Sequence, residues 1–262
     1  MKLSTITINF NHKYFPKLCV EALEAAKTDF KFEIIFVDNV SIDPISRGFL
    51  DKAAADNRIK LIKTHKNLGF AKGNNLGAKH ALGEYLLFLN PDTTVFPDAL
   101  QKMVDYMEKH PDIGALGPKL IYANGDIQDS FRRFPHFIDL VAKRTALGKI
   151  KYFKNRVQKY VMTGLDPNVM HDVDWLVGAA VLMPKKLFEE IGGFDERYFL
   201  FMEDADLCQK VHAKGLRVVY YPDAQINHYH KRLSGGGISH LLLKKVFWHH
   251  IASMVKYFWK WK

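Results

Sequence analysis

The stretch Gly83-Glu84-Tyr85-Leu86-Leu87-Phe88-Leu89-Asn90-Pro91-Asp92-Thr93 changes abruptly from apolar to polar residues. Its short apolar run, which ends at Leu89, is typical of a fully buried strand. Pro91 lacks a backbone N–H and fixes its own φ, so the strand stops there. The oxygen atoms of Asn90 and Asp92 then follow the carboxyl end of a strand, where open α/β sheets bind ligands. Such oxygens suit Mg²⁺ or Mn²⁺, although an ordinary capping turn uses the same residue types.

Strand-like and helix-like segments alternate on both sides of this stretch. The alternation predicts an α/β fold with a mainly parallel, doubly wound sheet that is flanked by helices. The predicted strands lie at 3–10, 32–37, 58–63 and 85–89, and the predicted helices lie at 15–27, 75–82 and 97–110, with a further helical segment that ends near 56.

Asp38 follows the second predicted strand just as Asp92 follows the fourth. The carboxyl ends of parallel strands meet at one edge of a sheet, so we expect these two carboxylates to face one crevice. A turn-forming aspartate is the alternative for Asp38. Between them, the glycine-containing stretch 67–75 predicts a loop that leads into a helix. It is not a P-loop, because its spacing differs and no Ser or Thr follows Lys72.

Two groups of polar residues in the second half of the chain suit a catalytic or metal site. Glu203, Asp204 and Asp206 open a predicted helix directly after an apolar stretch. Acids in a first helical turn often only offset the helix dipole, an explanation that fits Asp206 better than the other two. His228 and His230 alternate in an extended segment, so both side chains point the same way. They suit a metal site near these acids, and a pair of surface histidines is the alternative.

The second half of the chain is less regular than the first. Residues 131–171 are basic, aromatic and without a clear period, which predicts an insertion or a helical flap. The glycine-rich residues 234–237 suit a mobile lid. Strands are predicted at 113–121, 173–183 and 217–221, with a turn at 222–224 and a short helix at 184–191.

Residues 240–262 have the pattern of one amphipathic helix. A basic, aromatic helix of this kind lies in a membrane interface, and a helix that packs against the rest of the protein has the same pattern. The sequence leaves both possibilities open. Leu243, Phe247, Ile251, Met254 and Phe258 share one face, Lys245, His249, Lys256 and Lys260 lie opposite, and Trp248, Trp259 and Trp261 lie near the borders.

The net charge of +10 is concentrated in two segments. Residues 131–162 contain nine Lys or Arg and one acid, and residues 228–262 contain seven Lys or Arg and no acid. Basic segments of this kind suit an anionic membrane face, a polyphosphate or a nucleic acid, or they form a solvated surface. The sequence contains no recognised nucleic-acid-binding motif, so no nucleic acid partner is expected. Two cysteines, the lack of a signal-peptide pattern and the lack of a long apolar run predict a cytoplasmic protein.

The order of these motifs resembles that of the inverting family 2 glycosyltransferases, which have the GT-A fold. The likeness spans about residues 4–234, and the most similar branch contains the rhamnosyltransferase-like enzymes that build bacterial surface polysaccharide. The matching motifs are Thr7-Ile8-Asn9-Phe10-Asn11, Asp38-Asn39-Val40-Ser41-Ile42-Asp43, residues 67–75, Asn90-Pro91-Asp92, Trp175-Leu176-Val177-Gly178-Ala179, Gly192-Gly193-Phe194-Asp195-Glu196 and Phe201-Met202-Glu203-Asp204-Ala205-Asp206-Leu207.

The resemblance implies a role for each matching residue. Asp38 would hold the pyrimidine of a nucleotide-diphosphate sugar, and Asp204 would be the catalytic base with Glu203 beside it. Asn90-Pro91-Asp92 stands at the family's Asp-x-Asp metal motif with Asn in the first position, so Asp92 and His228 would hold Mg²⁺ or Mn²⁺. The other implied donor-binding residues are Thr7, Asn9, Asn67, Gly69, Lys72, Asn75 and Asn90, and the implied acceptor-binding residues are Trp175 and Gly178.

The implied function is metal-dependent, inverting transfer of a sugar, such as rhamnose. The donor would be dTDP- or UDP-linked, and the acceptor would be a glycan or a polyprenyl-diphosphate-linked glycan. A GT-A catalytic domain would span 1–235, an amphipathic helix would span 236–262, and the enzyme would work in the cytoplasm or peripherally on the inner face of the cell membrane. The alternatives are a sugar nucleotidyltransferase, whose glycine-rich loop is absent from residues 9–13, and a non-catalytic basic binding protein.

Overall fold

The computed structural model describes residues 1–229 and 245–262. The apolar run of the opening stretch forms strand β4, Tyr85–Leu89, as predicted. β4 lies parallel to β1, Leu3–Asn9, which lies parallel to β2, Phe32–Asp38. β3, Lys60–Lys63, continues this parallel set on the far side of β2.

Both faces of β1, β2 and β4 are largely buried, whereas the edge strand β3 is partly exposed. Leu86 and Phe88 of β4 enter one hydrophobic cluster, whereas Leu87 and Leu89 enter the other. Successive side chains of a strand point to opposite faces, so a strand buried on both faces is a continuous apolar run. This double burial is what made the strand visible in the sequence, and it confirms the α/β prediction.

The other half of the sheet contains antiparallel pairs. β10, Ala180–Pro184, lies antiparallel between β4 and β6, Ile113–Ile121. β11, Arg217–His228, runs parallel to β6, and its end pairs antiparallel with β5, Thr93–Val95. For the described residues the strand order is β3-β2-β1-β4-β10-β6-β11-β5. The short strands β7, Phe131–Arg132, and β9, Trp175–Leu176, pair separately, and β8, His171–Asp172, joins β11.

Helices cover both faces of the sheet. Helices α3 and α8 contribute to the cluster that contains Phe88, whereas α1, α2 and α4 contribute to the cluster that contains Leu87. The helices of the described residues are α1, Phe15–Glu24; α2, Pro44–Ala55; α3, Gly69–Lys79; α4, Ala99–Lys109; α5, Phe137–Arg144; α6, Lys151–Tyr160; α7, Lys185–Glu190; α8, Glu203–Ala213; and α9, Lys245–Lys260, with a 3₁₀ turn at Ala146–Lys149.

Helix α3 begins at Gly69, so most of the stretch that was predicted as a loop is helical. Gly73 and Gly77 of α3 face Ile8 and Ile6 of β1, and a Cβ at either glycine would collide with these side chains. Glycine lowers helix propensity, but it lets α3 lie close against the sheet. Tertiary packing therefore decides the local structure here.

The prediction of one strand at 173–183 was wrong. A turn divides it into β9 and β10, and in this turn the Ala179 N–H donates to the Val177 carbonyl oxygen at 2.8 Å. The turn predicted at 222–224 is instead an irregularity within β11, between Tyr221 and Gln225.

Segment 131–171 is largely helical, because α5, the 3₁₀ turn and α6 lie within it. These three elements pack against one another. The description of the segment as an insertion or flap on a domain at 1–235 stays a prediction.

Helix α9 packs against the rest of the protein. Met254 and Tyr257 are buried in the cluster that α8 shares. On the other side of the helix, Trp248, Val255 and Trp259 are 58%, 61% and 67% exposed. The helix therefore has a packed apolar face and an exposed aromatic edge.

Some predicted features lie outside the described residues. They are His230, the lid at 234–237, the domain boundary between 235 and 236, and the start of the last helix at 240–244. Within 1–229 and 245–262, no helix is long and apolar enough to cross a membrane.

Candidate active site

The turns that follow β1 and β2 are joined at the carboxyl edge of the sheet. Asn9 and Asp38 lie opposite each other in the strand register, and both are buried. Asn9 Nδ2 donates to the Ser41 hydroxyl at 3.0 Å, and the Ser41 N–H donates to Asp38 Oδ1 at 3.3 Å. Asn11 and Val40 have positive φ angles of 59° and 60°, so the chain turns sharply after each strand. These bonds fix the Asp38 carboxylate at a strand end, where the sequence predicted it.

Thr7 precedes Asn9 on β1 and lies further from the carboxyl edge of the sheet. Its side chain is fully buried and interacts with the thiol of Cys19 on α1. Burial raises the pKa of this thiol to about 12, although Thr7 and Thr93 act in the opposite direction. A contact between Thr7 and the donor stays a prediction.

Asn39 organises the loop that leads into α3. Its Nδ2 donates to Asn67 Oδ1 at 2.8 Å, and its Oδ1 accepts from the Leu68 N–H at 2.8 Å. Asn67 Oδ1 also accepts from the Gly69 N–H at 2.9 Å. Gly69 has a φ of +76°, and a Cβ there would collide with the carbonyl oxygen of Phe199. Asn67 and Gly69 therefore shape this loop, and their contacts with a donor stay predictions.

The next predicted donor residues, Lys72 and Asn75, face the turn after α7. The Asn75 amide donates to the Phe194 carbonyl oxygen and accepts from the Phe194 N–H, each at 2.9 Å. Lys72 Nζ lies 3.9 Å from Glu196 Oε2, and both side chains are about half exposed, at 49% and 50%. Asn75 thus joins α3 to this turn, whereas Lys72 presents a solvent-exposed ammonium group.

The pairing of β5 with β11 places His228 beside Asp92. His228 Nε2 lies 3.5 Å from Asp92 Oδ1, and its Nδ1 hydrogen-bonds with Gln128 Oε1 at 2.8 Å. Burial alone would raise the pKa of Asp92, but His228 and, to a smaller extent, His12 outweigh it, so this pKa lies below its usual value. A charged, buried carboxylate next to an imidazole nitrogen is a donor set that fits Mg²⁺ or Mn²⁺.

Asp92 and His228 are a small ligand set for a divalent ion. No group of three His, Cys, Asp or Glu residues in the described ranges is arranged to hold a metal. The pKa of nearby His12 lies below its usual value, because burial lowers it more than the charge of Asp92 raises it. Because Asp92 and His228 are a small ligand set, a cation at this position would need further oxygen ligands, such as those of a diphosphate.

The predicted catalytic acids follow a strained corner, defined as residues 199–202. Phe201 and Met202 directly precede α8 and have positive φ angles of 70° and 68°. This conformation costs about 1–2 kcal/mol per non-glycine residue, so it persists only where neighbouring groups hold it. Helix α9 supplies such contacts, because His250 stacks on Phe201 at 4.3 Å and the Ser253 hydroxyl donates to the Leu200 carbonyl oxygen at 2.9 Å. Strained backbone of this kind clusters at functional sites.

Glu203 and Asp204 have different surroundings. Asp204 Oδ2 accepts from the Gly178 N–H at 2.9 Å, and its Oδ1 accepts from the Ala205 N–H at 2.8 Å. Glu203 Oε2 is buried and has no hydrogen-bond partner in the described part of the chain. Burial raises the pKa of Asp204 while these N–H groups oppose the rise, whereas burial and the charge of Asp204 raise the pKa of Glu203 well above its usual value. Asp204 is therefore suited to be a charged base, and Glu203 to be its neutral neighbour.

Trp175, Gly178 and Arg132 surround Asp204. The Trp175 side chain is largely buried, and its indole N–H opposes the rise in the pKa of Asp204, as does the charge of Arg132. The Arg132 guanidinium lies 5.6 Å from the centre of the Trp175 ring and 5.8 Å from that of Tyr160. A Cβ at Gly178 would lie 3.2 Å from Asp204 Cβ. The structure thus brings both predicted acceptor residues together with the predicted base.

One short turn connects the predicted metal site to the predicted base. The Asn90 N–H donates to the Ala179 carbonyl oxygen at 2.9 Å, and the preceding residue, Gly178, donates to Asp204. The Thr93 hydroxyl donates to the Asn90 carbonyl oxygen at 2.7 Å. The end of β4 and the start of α8 therefore share one turn, although they are far apart in the sequence.

Comparison with known proteins identifies the family. The profile of Glycosyl transferase family 2 matches residues 4–191, which is most of the chain and includes Asn9, Asp38, Asp92 and Gly178. The chain belongs to glycosyl transferase family 2. This family 2 glycosyltransferase carries its predicted base, Asp204, beyond the matched residues.

Several curated relatives of this family 2 glycosyltransferase are rhamnosyltransferases. The N-acetylglucosaminyl-diphospho-decaprenol L-rhamnosyltransferase of Mycobacterium tuberculosis is 29% identical over 220 residues, which are 80% of this chain and 70% of the relative. The rhamnosyltransferase WbbL of Escherichia coli is 28% identical over 200 residues, which are 72% of this chain and 69% of the relative. The O-antigen biosynthesis protein RfbC of Myxococcus xanthus is 29% identical over 76% of this chain, which spans only 15% of that relative.

Solved structures of other glycosyltransferases share the fold. GalNAc-T7 with UDP, GalNAc and Mn²⁺ superposes with a TM-score of 0.69 at 16% identity, over 88% of this chain and 44% of that protein. The mannosyltransferase PcManGT of Pyrobaculum calidifontis, in complex with GDP-Man and Mn²⁺, has a TM-score of 0.60 at 17% identity, over 88% of this chain and 58% of that protein. The chain therefore spans about half the length of these structures. The expected GT-A fold is confirmed.

The family match also confirms that this chain is a glycosyltransferase enzyme. It favours that function over the two alternatives, a sugar nucleotidyltransferase and a non-catalytic basic binding protein. Relatives that are named as a rhamnosyltransferase and as an O-antigen biosynthesis protein agree with the branch that the motifs indicated.

Sequence reasoning did not single out several residues of the site. Asn39 lies inside a recognised motif, but the sequence did not show that its amide joins two loops. Arg132 was one of nine basic residues in its segment, with nothing local to distinguish it. Gln128 holds His228 from a position 100 residues away in the sequence, so no local pattern indicates the contact.

Proposed function

We propose that this family 2 glycosyltransferase transfers a sugar, such as rhamnose, from a dTDP- or UDP-linked donor to a glycan or a polyprenyl-diphosphate-linked glycan. Transfer would invert the anomeric carbon, use Mg²⁺ or Mn²⁺, and contribute to bacterial surface polysaccharide. The observation that carries the proposal is the turn at Gly178 and Ala179, which joins the end of β4 to the Asp204 carboxylate. A site for the leaving group and a base on opposite sides of one turn suit a single displacement.

The donor would bind along the carboxyl edge of β1, β2 and β4. A charged Asp38 carboxylate can only accept hydrogen bonds, so it would accept one from an N–H of the pyrimidine. Asn9 holds the adjoining turn through Ser41. The exposed ammonium group of Lys72 and the Asn90 side chain would contact the charged part of the donor. The rhamnosyltransferases among the relatives support rhamnose as the sugar.

Asp92 and His228 would hold the divalent ion. The ion would offset the charge that develops on the nucleoside diphosphate as the glycosidic bond breaks. Because Asn90 replaces an acid, the protein supplies few negative charges at this point. We therefore expect weak metal binding until the diphosphate of the donor adds its own oxygen ligands.

Asp204 would act as the base. The acceptor hydroxyl is a poor nucleophile at neutral pH, so its proton must pass to a carboxylate during attack. The acceptor oxygen forms a bond with the anomeric carbon, the bond to the diphosphate breaks on the opposite face, and the proton stays on Asp204. The N–H of Gly178 would hold this carboxylate in place, and Trp175 and Gly178 would border the acceptor.

The exposed edge of α9 would contact the inner face of the cell membrane. Trp248, Val255 and Trp259 are each more than half exposed along this helix. Tryptophan favours the interfacial layer of a bilayer, and the net charge of +10 favours an anionic surface. This placement suits a lipid-linked acceptor of the kind in the name of the mycobacterial relative.

A donor screen tests the proposal. The melting temperature should rise with dTDP- or UDP-sugars, and the rise should be larger with Mn²⁺ than without it. Purine nucleotide sugars should give a smaller rise. The absence of a shift with every pyrimidine nucleotide sugar would remove the donor assignment, and tight Mn²⁺ binding without nucleotide would contradict the proposed metal site.

A further inference from the structure

A cleft of about 760 Å³ lies between α5, α6 and α9. Its lining does not include the residues that the proposed function uses for the donor, the metal or the base. We propose that this cleft binds the diphosphate and the first isoprenoid units of a polyprenyl-diphosphate-linked acceptor. The inference rests on the proposed function, and it assigns a place to the charged head and the apolar chain of the acceptor.

Two cations of the cleft are available for an anion. Arg133 and Lys159 line it, both are exposed, and neither forms an ion pair with an acid within the described ranges. Both also border an adjoining hollow of about 540 Å³, so an anion between them has room on either side. A guanidinium and an ammonium group together suit the oxygens of a diphosphate.

The acids of the cleft are already committed to bonds within the protein. Asp139 Oδ1 lies 2.7 Å from Arg156 Nε, and its Oδ2 accepts from the His136 N–H at 3.2 Å. Asp174 Oδ2 accepts from the Phe134 N–H at 3.0 Å. These carboxylates therefore repel an anion less than their number suggests, and the cleft keeps a positive character at Arg133 and Lys159.

Aromatic residues form the wall that α9 contributes. Tyr257 is almost fully buried, and Phe258 and Trp261 line the cleft beside it. Across the opening, Phe137 of α5 meets Phe258 edge to face at 5.7 Å. An apolar wall next to two cations suits a molecule that is both charged and apolar, because each part finds its own kind of surface.

The cleft adjoins the base side of the active site. Tyr160 lines the cleft, and its ring centre lies 6.2 Å from that of Trp175. Arg132 lies over both rings, and its charge acts on Asp204. One layer of aromatic and guanidinium groups thus separates the cleft from the base. A diphosphate bound in the cleft would therefore lie one layer of side chains away from the predicted base.

The test is a direct titration of the full chain with farnesyl diphosphate, with no donor present. Inorganic diphosphate and farnesol are titrated separately to divide the contribution of head and chain. Farnesyl diphosphate should bind more tightly than either. The double variant Arg133→Ala/Lys159→Ala should weaken its binding by about tenfold or more, because each cation supplies charged hydrogen bonds.

Matched variants control for charge and fold. Lys151→Ala/Lys154→Ala removes two exposed cations of α6, the helix that contains Lys159. Neither of them lines the cleft, so this variant should change binding by less than about twofold. Arg133→Lys/Lys159→Arg keeps both charges and should retain most of the binding. Melting temperatures of all the variants show whether each one is folded.

Four results would overturn the inference. They are a double variant that binds like the wild type, inorganic diphosphate that binds as tightly as the lipid, displacement of farnesyl diphosphate by UDP with Mn²⁺, and a larger loss of binding to phosphatidylglycerol vesicles in the double variant than in Lys151→Ala/Lys154→Ala. The third result would place the ligand in the donor site, and the fourth would assign the cations to a lipid headgroup. Donor binding is measured separately by thermal shift, so a failure of the cleft and a failure of the proposed function are distinguishable.

Discussion

The predicted donor side and the predicted base side of the candidate active site are built in different ways. On the donor side, Asn9, Ser41 and Asp38 hold one another across the ends of two adjacent parallel strands. On the base side, Asp204 follows a strained corner and is held by the N–H of Gly178, which comes from another part of the chain. Left-handed backbone occurs on both sides, at Asn11 and Val40 and at Phe201 and Met202, but the carboxyl groups with raised pKa values, Glu203 and Asp204, lie on the predicted base side. The difference indicates that binding needs a stable frame and that proton transfer needs an environment which the fold must support at some cost.

Removing the base should have the largest effect. Asp204→Asn should lower sugar transfer by about 10²–10⁴-fold, because no carboxylate at this position can then take the proton of the acceptor hydroxyl. Thermal shifts with UDP or dTDP and Mn²⁺ should stay unchanged, since Asp204 lies on the base side. The control is Asp51→Asn, an exposed acid that pairs with Lys63 on the surface. Near-normal turnover in Asp204→Asn would show that Asp204 is not the base and that the proposed division into a donor side and a base side is wrong.

Removing the proposed metal ligand, Asp92, should have the next largest effect, on the predicted donor side. Asp92→Ala removes a proposed ligand, so it should weaken Mn²⁺ binding in the presence of nucleotide by more than the ~10–100-fold that is typical for groups that only orient a metal ligand. Gln128→Ala should act in the same direction but less strongly, because it only orients His228.

Isothermal titration of Mn²⁺ into the nucleotide complex measures this effect. The control is Asp98→Ala, an exposed acid that pairs with Lys102. Unchanged Mn²⁺ affinity in Asp92→Ala would show that the metal does not bind at the end of β4.

The third prediction concerns the support of the strained corner. Asp206 is fully buried, and its Oδ1 accepts from Trp261 Nε1 and pairs with Lys260 Nζ, each at 2.7 Å. Asp206→Ala should lower the free energy of unfolding by about 2 kcal/mol, because the Trp261 N–H loses its charged acceptor, whereas Lys260 keeps its ion pair with Asp195 at 2.8 Å. The variant should also lower kcat while donor binding is retained, since α9 braces residues 199–202.

Chemical denaturation and kinetics of the same preparation measure the two effects of Asp206→Ala. Glu190→Ala, which breaks an exposed pair with Lys214, should change the free energy of unfolding by less than about 1 kcal/mol. Equal losses in the two variants would show that α9 does not support the corner.

The smallest predicted effect is a gain in stability. The pKa of Glu203 is raised above its usual value of 4.5, first by burial and then by the charge of Asp204. The folded protein therefore keeps a proton that the unfolded chain releases, so stability falls as pH rises above about 4.5. Glu203→Gln should remove this loss and raise the free energy of unfolding at pH 7.

Denaturation curves at pH 7 and pH 4 measure this effect. The difference between Glu203→Gln and the wild type should disappear at the lower pH, where both states of the wild type carry the proton. An identical difference at both pH values would show that it arises from packing rather than from the titration of Glu203.

The sequence predicted the donor side better than the base side, for a physical reason. β4 and its Asn90-Pro91-Asp92 end were visible because double burial and proline act locally. The division of 173–183 at Gly178 was missed, since it depends on a hydrogen bond to Asp204. The start of α3 at Gly69 was missed because its glycines are selected by packing on β1, which helix propensity does not describe.

The same distinction applies to α9. Its amphipathic pattern predicted a helix, but the pattern alone did not show whether the helix packs on the protein or lies in a membrane interface. The contacts that decide this, from Trp261 to Asp206 and from His250 to Phe201, join residues far apart in the chain. Such contacts become visible only when the fold is known.

The left-handed backbone at Phe201 and Met202 affects how the activity of the protein changes on heating. If α9 detaches from α8, the corner can relax, and this releases about 2–4 kcal/mol of backbone strain. The relaxation favours local opening of this region while the sheet remains intact. The enzyme should then lose activity several degrees below its unfolding temperature and recover it on cooling, so that catalysis rather than the fold sets the upper limit of its working range.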